Sequence, residues 1–445
     1  MKQDEGAAGA MGRAGISGAL AEFAVGARPG EDARTMMRLS LLDWGACGLA
    51  GQAEPVSRLT RAMALEDGGA AEAAVIGTAT RLPARAAALV NGATSHALDY
   101  DDTHFAHIGH PSVAVLPAAL AVAQGTGATG AAFLDAALVG VEASIRVGVW
   151  LGRAHYQAGF HQTATAGAFG AALAAARLLG CDRQQVMQAL GLASTCASGL
   201  KSQFGTMGKP YNAGIAAANG VEAALLVARG FVSNPEGLEG AQGFGPTHHG
   251  QADLRAMDGL GADWLFETVS HKFHACCHGT HAALEALGKL HGFSADKVTA
   301  VAITTHPRWL SVCNIDMPRT GLEAKFSYRL TAAMALAGLD TGALDSFTDT
   351  LCADPELVTL RDRVEVRSDD TLSETAARVV VRTRDGGEHR AEHDLDAPMP
   401  LDERRKKLRA KAVSLLGAER ETALWGAVTA RGGPDLDALG RLLAG

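Results

Sequence analysis

Aromatic residues are scarce. Phe, Trp and Tyr make up 5% of the 445 residues, against 47% hydrophobic residues in all. A core must therefore be built from Ala, Leu and Val, and the 53 glycines point to closely approaching helices rather than a β-sandwich. A CxxC pair is also missing from the seven cysteines. With no secreted-style disulfide framework, a reduced, cytoplasmic protein is expected. No long Lys/Arg run is present and the formal charge is −8, which argues against a nucleic-acid partner. The one basic-dense segment, Arg404 to Lys411, reads as a solvated helix face. No apolar stretch reaches the roughly 20 uninterrupted residues that cross a bilayer, so no membrane partner is expected. The opening MKQDEGAAGAMGRAG is polar and acidic where a signal peptide would be basic and then apolar. Residues 1–14 are expected to be disordered.

What is present is mostly helical pattern. Ile16 to Ala50 reads as two helices split by RPGED, and further helix candidates run from Leu59 to Gly230, broken by glycines. The connector GTATRLPA reads as extended. The character changes near His271. Val298–Thr305, Val364–Arg367 and Ala377–Thr383 alternate like strands, and Asp385-Gly386-Gly387 is a hairpin turn. Helices are expected between them at Thr280–His291 and Glu323–Ala337. The fold class is mostly α with an α+β lid. A discontinuous all-α helical domain takes residues 15–265 and 396–445, and the α+β lid domain takes 266–395.

One stretch, HALDYDDTHFAHIGHPS from His96 to Ser112, packs four histidines and three aspartates into an otherwise Ala/Gly/Leu-rich chain. Burying such groups costs roughly 2 to 7 kcal/mol each unless they are paired, so they are a solvated loop or a site. Four polar clusters share a layout, each leading into a helix of small residues: His110-Pro111-Ser112, Gly159 to Thr163 with His161, Gly208 to Asn212 with Lys209, and Lys272 to His281. Helix N-termini favour anions. If the four starts converge, they make a pocket for a small polycarboxylate substrate. A lone lysine or histidine at a helix start is normally a surface residue or a cap; the fourfold recurrence is what argues for a site. The rival is a metal. Asp99, Asp102, His104, His107 and His110 have liganding types, as do His271, His274, Cys276, Cys277, His278 and His281. Neither set matches a ligand spacing such as HExxH or CxxC, so no metal is expected.

Over residues 16 to 440 the chain resembles the MmgE/PrpD family. The motifs are ALDYDDT…HPS, GFHxT, the GxxxKPxxxG pattern at Gly205 to Gly214, the K…C…TH segment at Lys272 to His281, and GLEAKFS at Gly321 to Ser327. That family includes 2-methylcitrate dehydratase, cis-aconitate decarboxylase and iminodisuccinate epimerase. The resemblance implies a large all-α domain, an α+β lid, a homodimer, and chemistry with no cofactor. It places active-site positions at Asp99, Thr103, His110, His161, Lys209 and Lys272. Tyr211, Asn212, Cys277 and His281, from the same helix starts, are further substrate-binding candidates. Two departures stand out: Asn212 replaces a histidine common in the family, and Cys277 stands where decarboxylases carry one.

These residues suggest a lyase or isomerase that handles a proton at the carbon α to a carboxylate, where preorganised cations stabilise the developing charge. Lys209 and Lys272 are expected to bind carboxylates, with His161 and His110 as base and acid near their unperturbed pKa of about 6.5. Asp99 would orient a histidine, and Thr103 would hydrogen-bond substrate or that aspartate. Dehydration of a 2-methylcitrate-like substrate is expected ahead of epimerisation of an amino- or imino-dicarboxylate; decarboxylation, or binding without turnover, comes behind both. His104 and His107 are expected to be loop or supporting residues, and Asp101 and Asp102 to cap or solvate the turn.

Overall fold

The computed structural model describes residues 15–445 in full and the backbone from residue 4. The disorder expected for residues 1–14 lies outside the fully described residues. The chain divides into two units, Met1–His271 with Leu416–Gly445, and Lys272–Leu415. The first is helical: α1 (Asp4–Gly26), α2 (Glu31–Gly51), α3 (Pro55–Asp67), α4 (Ala84–Ser95), α5 (Ser112–Thr126), α6 (Gly130–Ala158), α7 (Gln162–Leu178), α8 (Arg183–Cys196) and α9 (Gly208–Ala228). A short antiparallel hairpin, β1 (Ala73–Val75) and β2 (Thr78–Leu82), takes up the connector expected to be extended. Helices Ala418–Val428 and Leu436–Ala444 rejoin this unit, where the Gly77 N–H donates to Leu443 O.

The Ala/Gly composition explains the packing. Every residue of α7 from Gln162 to Ala176 is buried, so this helix has no polar face and serves as the axis of the unit. It packs on α5, α6 and α9. A Cβ on Gly140 would lie 2.6 Å from Gly170 O, and one on Gly92 would lie 2.9 Å from Gly214 Cα. Only glycine allows α6–α7 and α4–α9 to approach this closely. One buried ion pair pins the loops after α9. Arg146 meets Glu142 at 2.6 Å and donates to the carbonyls of Ala256, Asp258 and Asp263, while Glu142 accepts from the N–H groups of Leu265 and Phe266.

The second unit carries a four-stranded sheet of β3 (Val298–Thr305), β4 (Val364–Ser368), β5 (Ala376–Thr383) and β6 (Glu388–Asp394), in the order β4-β3-β5-β6. The β3/β4 pair is parallel and the others are antiparallel. Ala377, Val379 and Val381 face inward, while Arg378 and Arg382 face out and pair across to Glu392 and Glu388. The hairpin turn falls as expected, with Gly386 left-handed at φ 87°. The expected helix Glu323–Ala337 is in fact two, Gly321–Ala324 and Tyr328–Leu336, because the Ser327 hydroxyl accepts from the Leu330 N–H and starts a new helix. Helix Leu401–Leu416 was expected with the helical domain, yet almost all of it belongs to this unit. Lys407 reaches Glu285 at 2.5 Å and covers the Phe273 ring, which holds the helix here. The fold class is as expected, a large helical unit with a small α+β unit.

Candidate active site

Three of the four helix starts meet within the first unit. His110 and Pro111 lead into α5, His161 occupies the N-cap position of α7, and Lys209 lies in the first turn of α9. The His110 N–H donates to the Thr163 hydroxyl at 3.0 Å, which ties the start of α5 to that of α7. Asp102 holds the same helix start, accepting from Ser112 Oγ at 2.5 Å and from its N–H at 3.3 Å. Burial raises the Asp102 pKa, and the Ser112 and Ser40 hydroxyls partly offset this. The fourth start, with Lys272, Cys277 and His281, belongs to the second unit.

The centre of the cluster is Asp101, not expected to have such a role. It neither caps nor solvates the turn. Its side chain is 2% exposed, Oδ1 accepts from His96 Nδ1 at 2.9 Å, and Oδ2 stands 3.0 Å from His110 Nδ1. The His110 contact is an ion pair rather than a well-aligned hydrogen bond. Burial alone would raise the Asp101 pKa; His110 and His96 more than offset this and hold it well below the usual carboxylate range. His96 is itself fully buried, and burial outweighs the pull of Asp101 to lower its pKa. That keeps His96 neutral, with its proton on the Nδ1 that faces Asp101.

His110 has a second carboxylate. Its Nε2 lies 3.1 Å from Asp99 Oδ1, and Asp99 Oδ2 lies 2.6 Å from Lys209 Nζ. A ring whose two nitrogens both face carboxylates satisfies both only as imidazolium. Two carboxylates are thus set against two cations, His110 and Lys209. Asp99 adopts φ 51°, a left-handed backbone that Asp tolerates better than most residues. Its side chain remains 45% exposed, so this end of the chain of charges is open to solvent.

His161 lies beside them, its ring 6.1 Å from that of His96 and 4.9 Å from that of Phe204. Burial holds its pKa well below the ordinary value, helped by His96, Lys209 and His110. The ring is therefore neutral near pH 7. Asn212 Nδ2 lies 3.3 Å from both Leu200 O and His161 Nδ1, and an amide nitrogen can only donate to them. The His161 proton then falls on Nε2, and the ring presents an N–H donor rather than a free lone pair.

Asp99, His110, His161, Lys209 and Asn212 thus come together, with His96, Asp101 and Phe204 added. Tyr211 shares the first turn of α9 and is half-buried. The Thr103 backbone pairs both ways with Ser270 at 2.8 Å, and its hydroxyl donates to the Ser270 carbonyl. Metal-capable groups are also present. One donor atom each from His96, Asp99, Asp101 and His110 lie within 4.8 Å of one another, a different set from the one the sequence suggested. A cation there would compete with Lys209 and His110 for Asp99 and with His96 and His110 for Asp101.

Comparison with known proteins agrees with the motifs. The MmgE/PrpD N-terminal domain matches residues 18–257 and the MmgE/PrpD C-terminal domain matches residues 274–429. The chain belongs to the MmgE/PrpD family. Among curated relatives, a cis-aconitate decarboxylase-like protein of Aspergillus oryzae is 34% identical over 268 residues, covering 56% of this chain and 55% of that protein. The cis-aconitate decarboxylase of Aspergillus terreus is 34% identical over 269 residues, 57% of this chain and 54% of that one. The Homo sapiens cis-aconitate decarboxylase is 28% identical over 302 residues, 64% and 62%. The matched stretch spans a little over half of each of these relatives. No helix among the described residues is long and apolar enough to cross a membrane.

Proposed function

We propose that the chain is a lyase acting on a small di- or tricarboxylate through a carbanion α to a carboxylate, and that His110 is its proton donor. The observation that carries this reading is the His110 ring with carboxylates at 3.1 and 3.0 Å on its two nitrogens. An acid held as imidazolium beside neutral His161 is poised to deliver a proton. Lys209 would bind a substrate carboxylate, with the His161 Nε2–H as a further donor. Decarboxylation of an unsaturated tricarboxylate of the cis-aconitate kind now stands first. As CO2 leaves, the electron pair of the broken C–C bond becomes a new double bond, the old one shifts toward a remaining carboxylate, and His110 protonates the α carbon. This route needs an acid and no base. The decarboxylase relatives favour it as well, although Cys277 stands where the family resemblance puts a decarboxylase histidine.

Dehydration of a 2-methylcitrate-like substrate, expected from the sequence, requires a base to remove the α proton first, and so the other tautomer of His161. Epimerisation of an amino- or imino-dicarboxylate has the same requirement. A screen of cis-aconitate, citrate, methylcitrate and amino-dicarboxylates in D2O separates these reactions. The proposal expects CO2 release from cis-aconitate with one deuterium at the protonated carbon. Alkene formed from methylcitrate without CO2 would move the assignment to dehydration. Cα exchange alone would move it to epimerisation, and no turnover of any of them would overturn the lyase reading. A homodimer belongs to this reading too; a monomer in sedimentation would count against it.

A further inference from the structure

The second unit carries a sulfur cluster that the proposed chemistry does not use as such. Cys276, Cys277 and Cys313 meet beneath the Tyr328 hydroxyl, which donates to Gly279 O at 2.6 Å. Cys313 is fully buried and its Sγ lies 3.0 Å from Cys277 Sγ, with the Cys313 S–H donating. That separation is only about 1 Å longer than a disulfide bond of about 2.05 Å. Both residues are anchored: the Cys277 N–H donates to Lys325 O at 2.9 Å, and the Cys313 N–H donates to Trp309 O at 2.8 Å. Cys313 is also closely packed: a Cβ on Gly279 would lie 2.9 Å from Cys313 Sγ and 2.5 Å from the Trp309 ring. What remains for a bond is about 1 Å of closure between two sulfurs already in contact.

We propose that Cys277 and Cys313 are an oxidisable dithiol that closes reversibly to a disulfide with hydrogen peroxide as oxidant. The two sulfurs have different roles. Cys277 is half-buried and accepts the Cys313 S–H···S hydrogen bond, which favours its thiolate, so it is the sulfur that meets the oxidant. The same contact, with burial, pushes the Cys313 thiol well above its usual range, which makes it the resolving partner. Cys276 is excluded as attacker, since burial pushes it up to about 12 and its Sγ is engaged 3.0 Å from Thr280 Oγ1. In the first step the Cys277 thiolate attacks the peroxide oxygen, giving a sulfenic acid and, with a proton, water. In the second the Cys313 sulfur displaces that hydroxyl as a second water, so two thiols and one peroxide give one disulfide and two waters. The bond joins the Lys272–Thr280 stretch to the segment that follows the turn Pro307–Ser311.

Peptide mapping tests this without reference to any catalytic activity. The full-length protein is treated with hydrogen peroxide, remaining thiols are blocked with N-ethylmaleimide, and the chain is cut with trypsin, which separates the two cysteines after Arg308. The expected result is the loss of two of the seven thiols, a Cys277–Cys313 cross-linked peptide, and recovery of both thiols with dithiothreitol. Cys276→Ser retains the cross-link, and Cys313→Ser leaves a Cys277 sulfenic acid that dimedone captures. An unchanged thiol count, a cross-link through Cys276, or dimedone labelling on Cys313 in place of Cys277 would overturn the proposal. Wild-type mapping decides the matter even if Cys313→Ser fails to fold.

Discussion

His104, His107 and His110 lie within one loop of seven residues and are all buried, yet they differ in kind. The first two meet only neutral partners. His104 Nε2 faces Leu265 O and the Thr268 hydroxyl, and His107 Nε2 faces the Ser144 hydroxyl. Burial lowers their pKa values to about 4 and about 3. His110 instead has a carboxylate on each nitrogen. The same side chain, buried in all three places, is a neutral packing group at the first two and faces two carboxylates at the third. Burial alone does not set the charge of a histidine; the charge of its partners does.

The widest break in this contrast is expected from His110→Asn, which removes the proton donor and leaves a smaller polar side chain in its place. Its kcat should fall about 10²- to 10⁴-fold on the substrate identified in the screen, with a lowered melting temperature as well, because buried Asp101 loses its His110 partner. His104→Asn should leave kcat within a few-fold of wild type; equal losses in the two variants would erase the distinction. Asp101→Asn should cost about 3–5 kcal/mol of stability in a denaturant melt, since it leaves buried His96 and His110 without their common carboxylate. Lys209→Met should raise KM about tenfold, roughly 1.4 kcal/mol, more than it lowers kcat.

The neutral pair makes a pH prediction of its own. Below the unfolded histidine pKa of 6.5 the unfolded chain takes up protons that folded His104 and His107 do not, until about 4 and about 3. The unfolded state binds more protons in that window, so stability is full above pH 6.5 and falls as the pH drops below it. Thermal melts at pH 7.5 and pH 5 check the sign; a higher melting temperature at pH 5 would contradict it. The smallest effect is expected from chelation. Dialysis against EDTA should leave kcat unchanged, and activity lost and then restored by one stoichiometric metal would transfer His96, Asp99, Asp101 and His110 to a metal site.

Much of this was legible in the sequence. Strand Val298–Thr305 shows in its alternation, and the starts of α5, α7 and α9 show where polar residues precede Ala/Gly runs. Asp99, His110, His161 and Lys209 were reachable by motif. His96 and Asp101 were not, because their pairing depends on the left-handed turn at Asp99, which sets carboxylates two residues apart on opposite nitrogens of one ring. The break before Tyr328 turned on whether Ser327, the one serine inside the expected helix, would act as a cap. The role of Asn212 was likewise hidden, since a departure from the family histidine gave no hint that its amide would fix the tautomer of His161.

The central claim is the charge on His110, and nitrogen-15 NMR of histidine-labelled protein reads it directly, with His110→Asn used to assign the signal. At pH 7 the account predicts an imidazolium with a proton on both nitrogens, beside neutral rings for His96, His104, His107 and His161. A neutral His110 carrying a single ring proton at that pH would contradict it.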